Sequence, residues 1–74
     1  MSDRLNVSIQ IRPEVDLPDL RALLRDRGAS IVTSRDGEEG KLELIVIVDA
    51  DAIDPLADAL PAGSSLRVLG VRAL

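Results

Sequence analysis

The stretch Lys41–Asp49, KLELIVIVD, is the longest apolar run in the chain, and it decides the fold. Val and Ile fill its second half, and β-branched residues of this kind favour strands. Because side chains alternate between the faces of a strand, one face is wholly apolar and carries Leu42, Leu44, Val46 and Val48. The opposite face begins with Lys41 and Glu43 and ends with Ile45 and Ile47. A strand with apolar residues on both faces is expected in the middle of a sheet.

A second strand is indicated at Arg4–Arg12, where apolar and polar residues alternate strictly. Pro13 lacks an amide donor and is expected to end this strand. The apolar face is formed by Leu5, Val7, Ile9 and Ile11. The polar face includes Asn6, Ser8 and Gln10. We therefore expect a strand that packs on a core with one face only.

Two short helices are indicated between strands. The first is predicted to begin at Asp16, a good N-cap residue, and to end before Gly28 in the C′ position. The second follows the central strand. Either Asp51 caps it, or Asp54 caps it with Pro55 as the first helical residue.

Two more strands complete the pattern, one at Ala29–Arg35 and one at Leu66–Leu74, where Gly70 indicates a bulge. A hairpin turn is predicted at Asp36–Gly40. The element order β-α-β-β-α-β resembles the ferredoxin-like plan, an α+β sandwich. It predicts one domain over residues 1–74, with an antiparallel sheet in the order 4-1-3-2 and both helices on one face.

The composition argues against most chemistry. The chain has no Cys, no His and no aromatic residue, so thiolate and imidazole ligands, the commonest general base and base-stacking platforms are all missing. The net charge of −4 is the wrong sign for a nucleic-acid partner. No apolar run approaches the roughly 20 residues of a membrane span. We expect a cytoplasmic protein that is not an enzyme, uses no cofactor, and binds neither nucleic acid nor membrane.

The passage Leu23–Ile31, LLRDRGASI, is similar to the helix–Gly–Ala–Asn–Ile passage of ACT-type small-molecule-sensing domains. The chain also has that family's length and element order. Where the family has Gly-Leu at the start of the first helix, this chain has Pro18–Leu20. The resemblance implies a regulatory module that dimerises through its sheet, side by side or face to face. Ligand contacts under this interpretation would be Asp16, Asp19, Gly28 and Ser30. Lrp-type ligand-binding domains and the C-terminal domains of magnesium-transport-associated proteins have similar plans, and motifs do not separate them.

The face of the sheet without helices is a candidate interface. It is expected to combine amides and hydroxyls with two adjacent apolar residues, and exposed apolar patches often mark partner sites. The residues of this candidate interface are Asn6, Ser8, Gln10, Val32, Ile45 and Ile47. The alternative to a sensing module is therefore a small protein–protein adaptor or inhibitor that uses this face.

Two charged sets are further candidates. The acids Asp49, Asp51 and Asp54 have the oxygen ligands that hard cations prefer, although acids at a helix start also balance its dipole. An arginine set could bind anions, although most such side chains are solvated or paired: Arg4, Arg12, Arg35, Arg67 and Arg72.

Overall fold

The computed structural model describes residues 3–71. Within that range the chain forms four strands and two α-helices, with short 3-10 turns before β3 and α2. The elements in chain order are β1 (Arg4–Ile11), α1 (Leu17–Asp26), β2 (Ser30–Asp36), β3 (Leu42–Asp49), α2 (Ile53–Ala59) and β4 (Ser64–Val71). The predicted element order is confirmed, and β4 begins two residues earlier than predicted. The predicted end of β4, at residues 72–74, lies outside the described residues.

The four strands form one antiparallel sheet in the order β2-β3-β1-β4. This is the predicted order, written from the opposite edge. In the central pair, Val7 lies opposite Val46 and Ile9 lies opposite Leu44. The apolar faces predicted for these two strands are therefore the same face of the sheet. KLELIVIVD lies in the centre, as its apolar character required.

The core lies between this face and the helices. Val7, Ile9, Leu44 and Val46 are each 0% exposed. Both helices contribute to the same buried cluster, through Leu20, Leu24 and Leu56. A core of aliphatic side chains alone has no aromatic ring to anchor it, so close packing of branched residues provides its stability.

Helix α1 begins and ends as its sequence predicts. Asp16 is the N-cap, and its carboxylate accepts a hydrogen bond from the backbone N–H of Asp19 at 3.5 Å. At the other end Gly28 has φ +76°, a conformation that favours glycine. The N–H of Ala29 donates to the carbonyl of Leu24, and that of Gly28 donates to Arg25. These two bonds form a Schellman motif, which satisfies the last carbonyls of the helix.

Helix α2 begins differently from the prediction. Its N-cap is Ala52, which makes no side-chain capping hydrogen bond, so neither proposed cap, Asp51 nor Asp54, holds that position. A 3-10 turn at Ala50–Ala52 leads directly into the helix. The turn displaces the start of the α-helix, so Pro55 falls beyond its first residue.

Both edge strands carry a bulge. On β2 the register shifts between Ile31 and Thr33, which leaves Val32 as the extra residue. On β4 the extra residue is Leu69, because Val68 pairs with Val7 and Gly70 pairs with Asn6. The bulge predicted from Gly70 is confirmed, and the bulge on β2 was not predicted.

Candidate functional site

The open face of the sheet, meaning the face opposite the helices, assembles most of the predicted interface. Register pairs Asn6 with Ile47 and Ser8 with Ile45. Gln10, the next residue of β1 on this face, lies opposite Glu43. Val32, the sixth predicted residue, lies at the β2 bulge and is 54% exposed. Strict alternation in β1 and β3 is what brings the polar and apolar members side by side.

The exposed patch expected from Ile45 and Ile47 is smaller than predicted. Ile47 is 8% exposed, and Ile45 is half-buried. Ser8, expected at the surface, is 3% exposed. These residues lie on the two central strands, where neighbouring strands flank each side chain. The open face of a single chain therefore offers few apolar atoms near its middle.

A polar network crosses the open face from β1 to β2. The hydroxyl of Ser8 donates to Oε2 of Glu43 at 2.7 Å. The Nε–H of Arg35 donates to the other carboxylate oxygen, Oε1. The hydrogen bond from Ser8, followed by that from Arg35, lowers the pKa of Glu43 below its usual value of 4.5, against a smaller opposing effect of burial. Sequence analysis missed this network, although opposite charges on either side of a predicted hairpin turn were a usable signal.

The network is not built for proton transfer. A carboxylate with a lowered pKa is a weak base near neutral pH. Ser8 is almost fully buried, so its oxygen does not face a substrate. The arrangement instead neutralises a carboxylate on the surface of the sheet and ties β2 to β3 and β1.

Exposed apolar side chains lie at the edges of the sheet rather than at its middle. Among the described residues, all the large apolar side chains that are strongly exposed belong to β2 or β4. They are Ile31, Val32, Val68, Leu69 and Val71. Every residue of β2 is exposed, so this strand contributes little to the core of a single chain.

The four ligand contacts implied by the family resemblance do not lie together, because two are at the start of α1 and two follow its end. Asp16 and Asp19 line a cleft of about 250 Å³ between the start of α1 and the end of α2, with Leu23 and Pro61. Ser30 lines a different cleft, between α1 and β2. It comes two residues after Gly28, which ends the helix region. Asp16 and Gly28 flank the ten residues of α1, which rise by about 15 Å from one end of the helix to the other. A small ligand could contact one pair, and not all four residues together.

The second cleft lies between α1 and β2 and has a volume of about 370 Å³. It combines two arginines with an apolar floor, and its lining is Arg21, Leu24, Arg25, Ala29, Ser30 and Ile31. Because Ile31 belongs to the edge strand β2, this cleft lies at the edge of the sheet where β2 has no neighbouring strand.

The acidic candidate does not form a cation site. Within residues 3–71, no three acidic side chains come together in a way that could hold a metal ion. Asp49 instead lies 3.6 Å from Arg4 in an exposed ion pair at the end of the central strands. Alternation of β3 directs Asp49 to the open face, where it lies opposite Arg4, whereas the helix that carries Asp54 packs on the other face.

Comparison with known proteins identifies no family for this chain. No protein-family model, no curated protein and no solved structure matches this chain significantly. Between residues 3 and 71, no helix has both the length and the apolar character needed to cross a bilayer.

Proposed function

We propose that the protein is a non-enzymatic regulatory module of the ferredoxin-like, ACT-like type, and that it works as a homodimer. Two copies meet side by side along β2, and a small ligand binds in the cleft between α1 and β2. The observation that carries this proposal is the exposure of the whole of β2, with Ile31 and Val32 at 39% and 54%.

The edge strand β2 is better suited to self-association than β4. The first five residues of β2, 30–34, have no charged side chain and its charges, Arg35 and Asp36, lie at its end, whereas β4 has Arg67 in its middle. Charges on an edge strand discourage pairing with another strand, and their absence leaves the edge available. A two-fold axis beside Val32 would bring the same apolar patch of both copies together, as an isologous dimer requires.

The α1–β2 cleft gives the dimer a place for a ligand. Ser30 and Ile31 belong both to the cleft and to the edge strand, so β2 of a second copy would lie beside the cleft. Arg21 and Arg25 provide positive charge, and the Ser30 hydroxyl provides a further polar contact. Association and ligand binding would then depend on each other, because each completes the other's site.

The first experiment is the solution mass by light scattering over a range of concentrations. Refractive-index detection is required, because the chain has no Trp or Tyr. A mass of two chains supports the proposal. A mass of one chain up to millimolar concentration contradicts it.

Edge variants then locate the seam. Val32→Lys is expected to weaken dimerisation about 100-fold or more, because it buries an unpaired charge at the axis. Ala22→Lys adds the same charge on the exposed face of α1 and is the matched control. Dissociation by Val68→Lys, with no effect of Val32→Lys, would contradict the choice of edge.

The alternative function is a protein–protein adaptor or inhibitor that uses the open face. The half-buried Ile45, which lies between Ser8 and Thr33, supports it. The burial of Ile47 leaves that face with less apolar surface than the edges have, so we prefer the homodimer. Under the alternative, Ile45→Lys would abolish binding of a protein partner while the chain stays folded and monomeric.

A further inference from the structure

Most cations of an acidic protein are expected to lie near carboxylates. The chain has 13 acidic and nine basic residues. Two ion pairs form within residues 3–71, Arg4 with Asp49 and Arg35 with Glu43. Six of the eight basic residues in that range have no ion-pair partner there, and Arg12 and Lys41 are two of them.

These two cations lie side by side. The last pair of the β1–β3 ladder joins Ile11 to Leu42, so Arg12 and Lys41 are the next residues on adjacent strands. Both line a recess of about 240 Å³ at this end of the sheet, which we call the anion recess. Its full lining is Gln10, Arg12, Lys41, Gly63, Ser64 and Ser65.

The lining has the chemistry of an anion site. It contains two cations, two hydroxyls and an amide, and it contains no carboxylate. The Ser64 hydroxyl already donates to the carbonyl of Pro61 at 2.5 Å, which leaves the exposed Ser65 hydroxyl as the free donor. An arginine can donate two parallel hydrogen bonds to a phosphate or carboxylate group, and a lysine adds a mobile point charge.

The backbone holds the recess in shape. The N–H of Arg12 donates to the carbonyl of Gly63 at 3.0 Å, which fixes the loop before β4 against the end of β1. Gly63 has φ +92°, and a Cβ at that position would lie 3.3 Å from Cγ2 of Val15 and 3.7 Å from Cβ of Arg12. Only glycine lets the loop approach this closely without strain.

The size and surroundings of the recess limit what it can bind. Its volume is below the roughly 300–1,000 Å³ of pockets for drug-sized ligands. The acidic turn with Glu38 and Glu39 lines a neighbouring recess that also contains Lys41, and it would repel a long polyanion. A small molecule with one oxyanion group fits both limits.

We propose that the anion recess binds a small oxyanion, a phosphate or carboxylate group, through Arg12, Lys41 and the hydroxyl of Ser65. This site goes beyond the proposed dimer, because it lies at the opposite end of the sheet from the α1–β2 cleft. Binding needs one chain only, so it can be tested whatever the oligomeric state.

The test is an amide ¹H–¹⁵N NMR titration of the full chain with inorganic phosphate, and separately with acetate. Sodium chloride keeps the ionic strength constant, because surface charges are screened over about 10 Å at 0.1 M salt. The expected result is saturable shifts centred on Arg12, Lys41 and Ser65. Saturation by phosphate alone identifies a phosphate site, and saturation by acetate alone identifies a carboxylate site.

Three variants make the assignment specific. Arg12→Gln and Lys41→Gln are each expected to raise the apparent dissociation constant about tenfold, the loss of one charge-assisted contact. Arg27→Gln removes the same charge at the far end of α1 and is expected to leave the constant unchanged within about twofold. If Arg12→Gln fails to fold, as the dispersion of its own spectrum will reveal, Lys41→Gln carries the test.

Three results would overturn the inference: shifts that do not saturate, equal losses in Arg27→Gln, or shifts centred on Arg21 and Ser30. A dimer without saturable binding at the recess removes this inference and leaves the proposed function intact. A monomer that binds phosphate at the recess supports this inference and contradicts the proposed dimer.

Discussion

The two faces of the central strands β1 and β3 are made from alternate residues of the same segments, yet different forces hold them. On the covered face, Val7, Ile9 and Val46 pack beneath the helices and are fully buried. On the open face, Ser8 is nearly as buried, but its hydroxyl donates a hydrogen bond to the carboxylate of Glu43. Burial alone therefore does not distinguish the faces, whereas the partner of each buried group does.

The difference indicates how each face should respond to change. Apolar packing loses free energy in proportion to the volume removed, because the cavity left behind does not close. A polar network that reaches the surface can exchange a lost partner for water. We therefore expect the covered face to be sensitive to size and to buried polar groups, and the open face to be sensitive to pH.

The largest difference in stability between the two faces should appear when one isoleucine on each face is truncated to alanine. Ile9→Ala on the covered face is expected to cost about 4 kcal/mol, because a fully buried side chain leaves a cavity. Ile45→Ala on the open face is expected to cost about 1 to 2 kcal/mol, since Ile45 is half-buried. Urea unfolding followed by far-ultraviolet circular dichroism measures both.

A domain of this size can lose its fold on a change as large as Ile9→Ala. Ile9→Val, with an expected loss of about 1 kcal/mol, then provides the comparison. Equal losses for the alanine variants of Ile9 and Ile45 would remove the distinction between the faces.

The next effect compares adjacent residues that point to opposite faces. Val7→Thr keeps the shape of the side chain but buries a hydroxyl without a free partner, at an expected cost of about 2 kcal/mol. Ser8→Ala removes the donor to Glu43 and is expected to cost less, because Arg35 remains bonded to the carboxylate. The free energies of unfolding at neutral pH test this order, and a greater loss for Ser8→Ala would reverse it.

A third difference should appear only as pH changes. The hydrogen bonds from Ser8 and Arg35 lower the pKa of Glu43 in the folded chain. The stability that this provides is complete above the pKa of 4.5 that glutamate has in the unfolded chain, and is lost as pH falls through the lower folded pKa. Glu43→Gln should lack this loss, so its stability should fall less than that of the wild type between pH 6 and 3.

The matched control for this pH effect is Glu14→Gln, which neutralises an exposed glutamate outside the sheet. Urea midpoints at several pH values give the slopes. A wild-type slope in Glu43→Gln would mean that the network does not contribute to acid sensitivity.

The smallest effect is expected at the other end of the open face. Arg4 and Asp49 form a 3.6 Å ion pair whose side chains are 64% and 56% exposed. Solvent and salt screen such pairs, so Arg4→Gln should change stability by no more than about 0.5 kcal/mol. Thermal unfolding in low and high salt checks this, and a loss well above that figure would show that exposed pairs also hold this face.

Sequence alone predicted the parts of the fold that depend on local patterns. Alternation in Arg4–Arg12 fixed the buried face of β1, and Gly28 marked the end of α1. The strand order followed from the element order, because right-handed crossovers leave few arrangements of four strands. These features need no knowledge of distant contacts.

The features that were missed depend on which residues meet across the sheet. Nothing near Val32 marks a bulge, because the register shift arises from pairing with β3. The predicted start of α2 was wrong because the Asp residues in this segment are good caps, whereas the 3-10 turn at Ala50–Ala52 places Ala52 at the N-cap instead. The anion recess needs the β1–β3 register and the approach of Gly63, neither of which is local in sequence.

The two bulges have a consequence for what the chain avoids becoming. A fibril grows only when strands stack in an uninterrupted, in-register ladder. On β2 an added strand meets the irregularity at Val32, and on β4 it meets the one at Leu69. Both edges are therefore interrupted next to their most apolar side chains, which disfavours an endless ladder of added strands while leaving β2 available for the single two-fold contact proposed above.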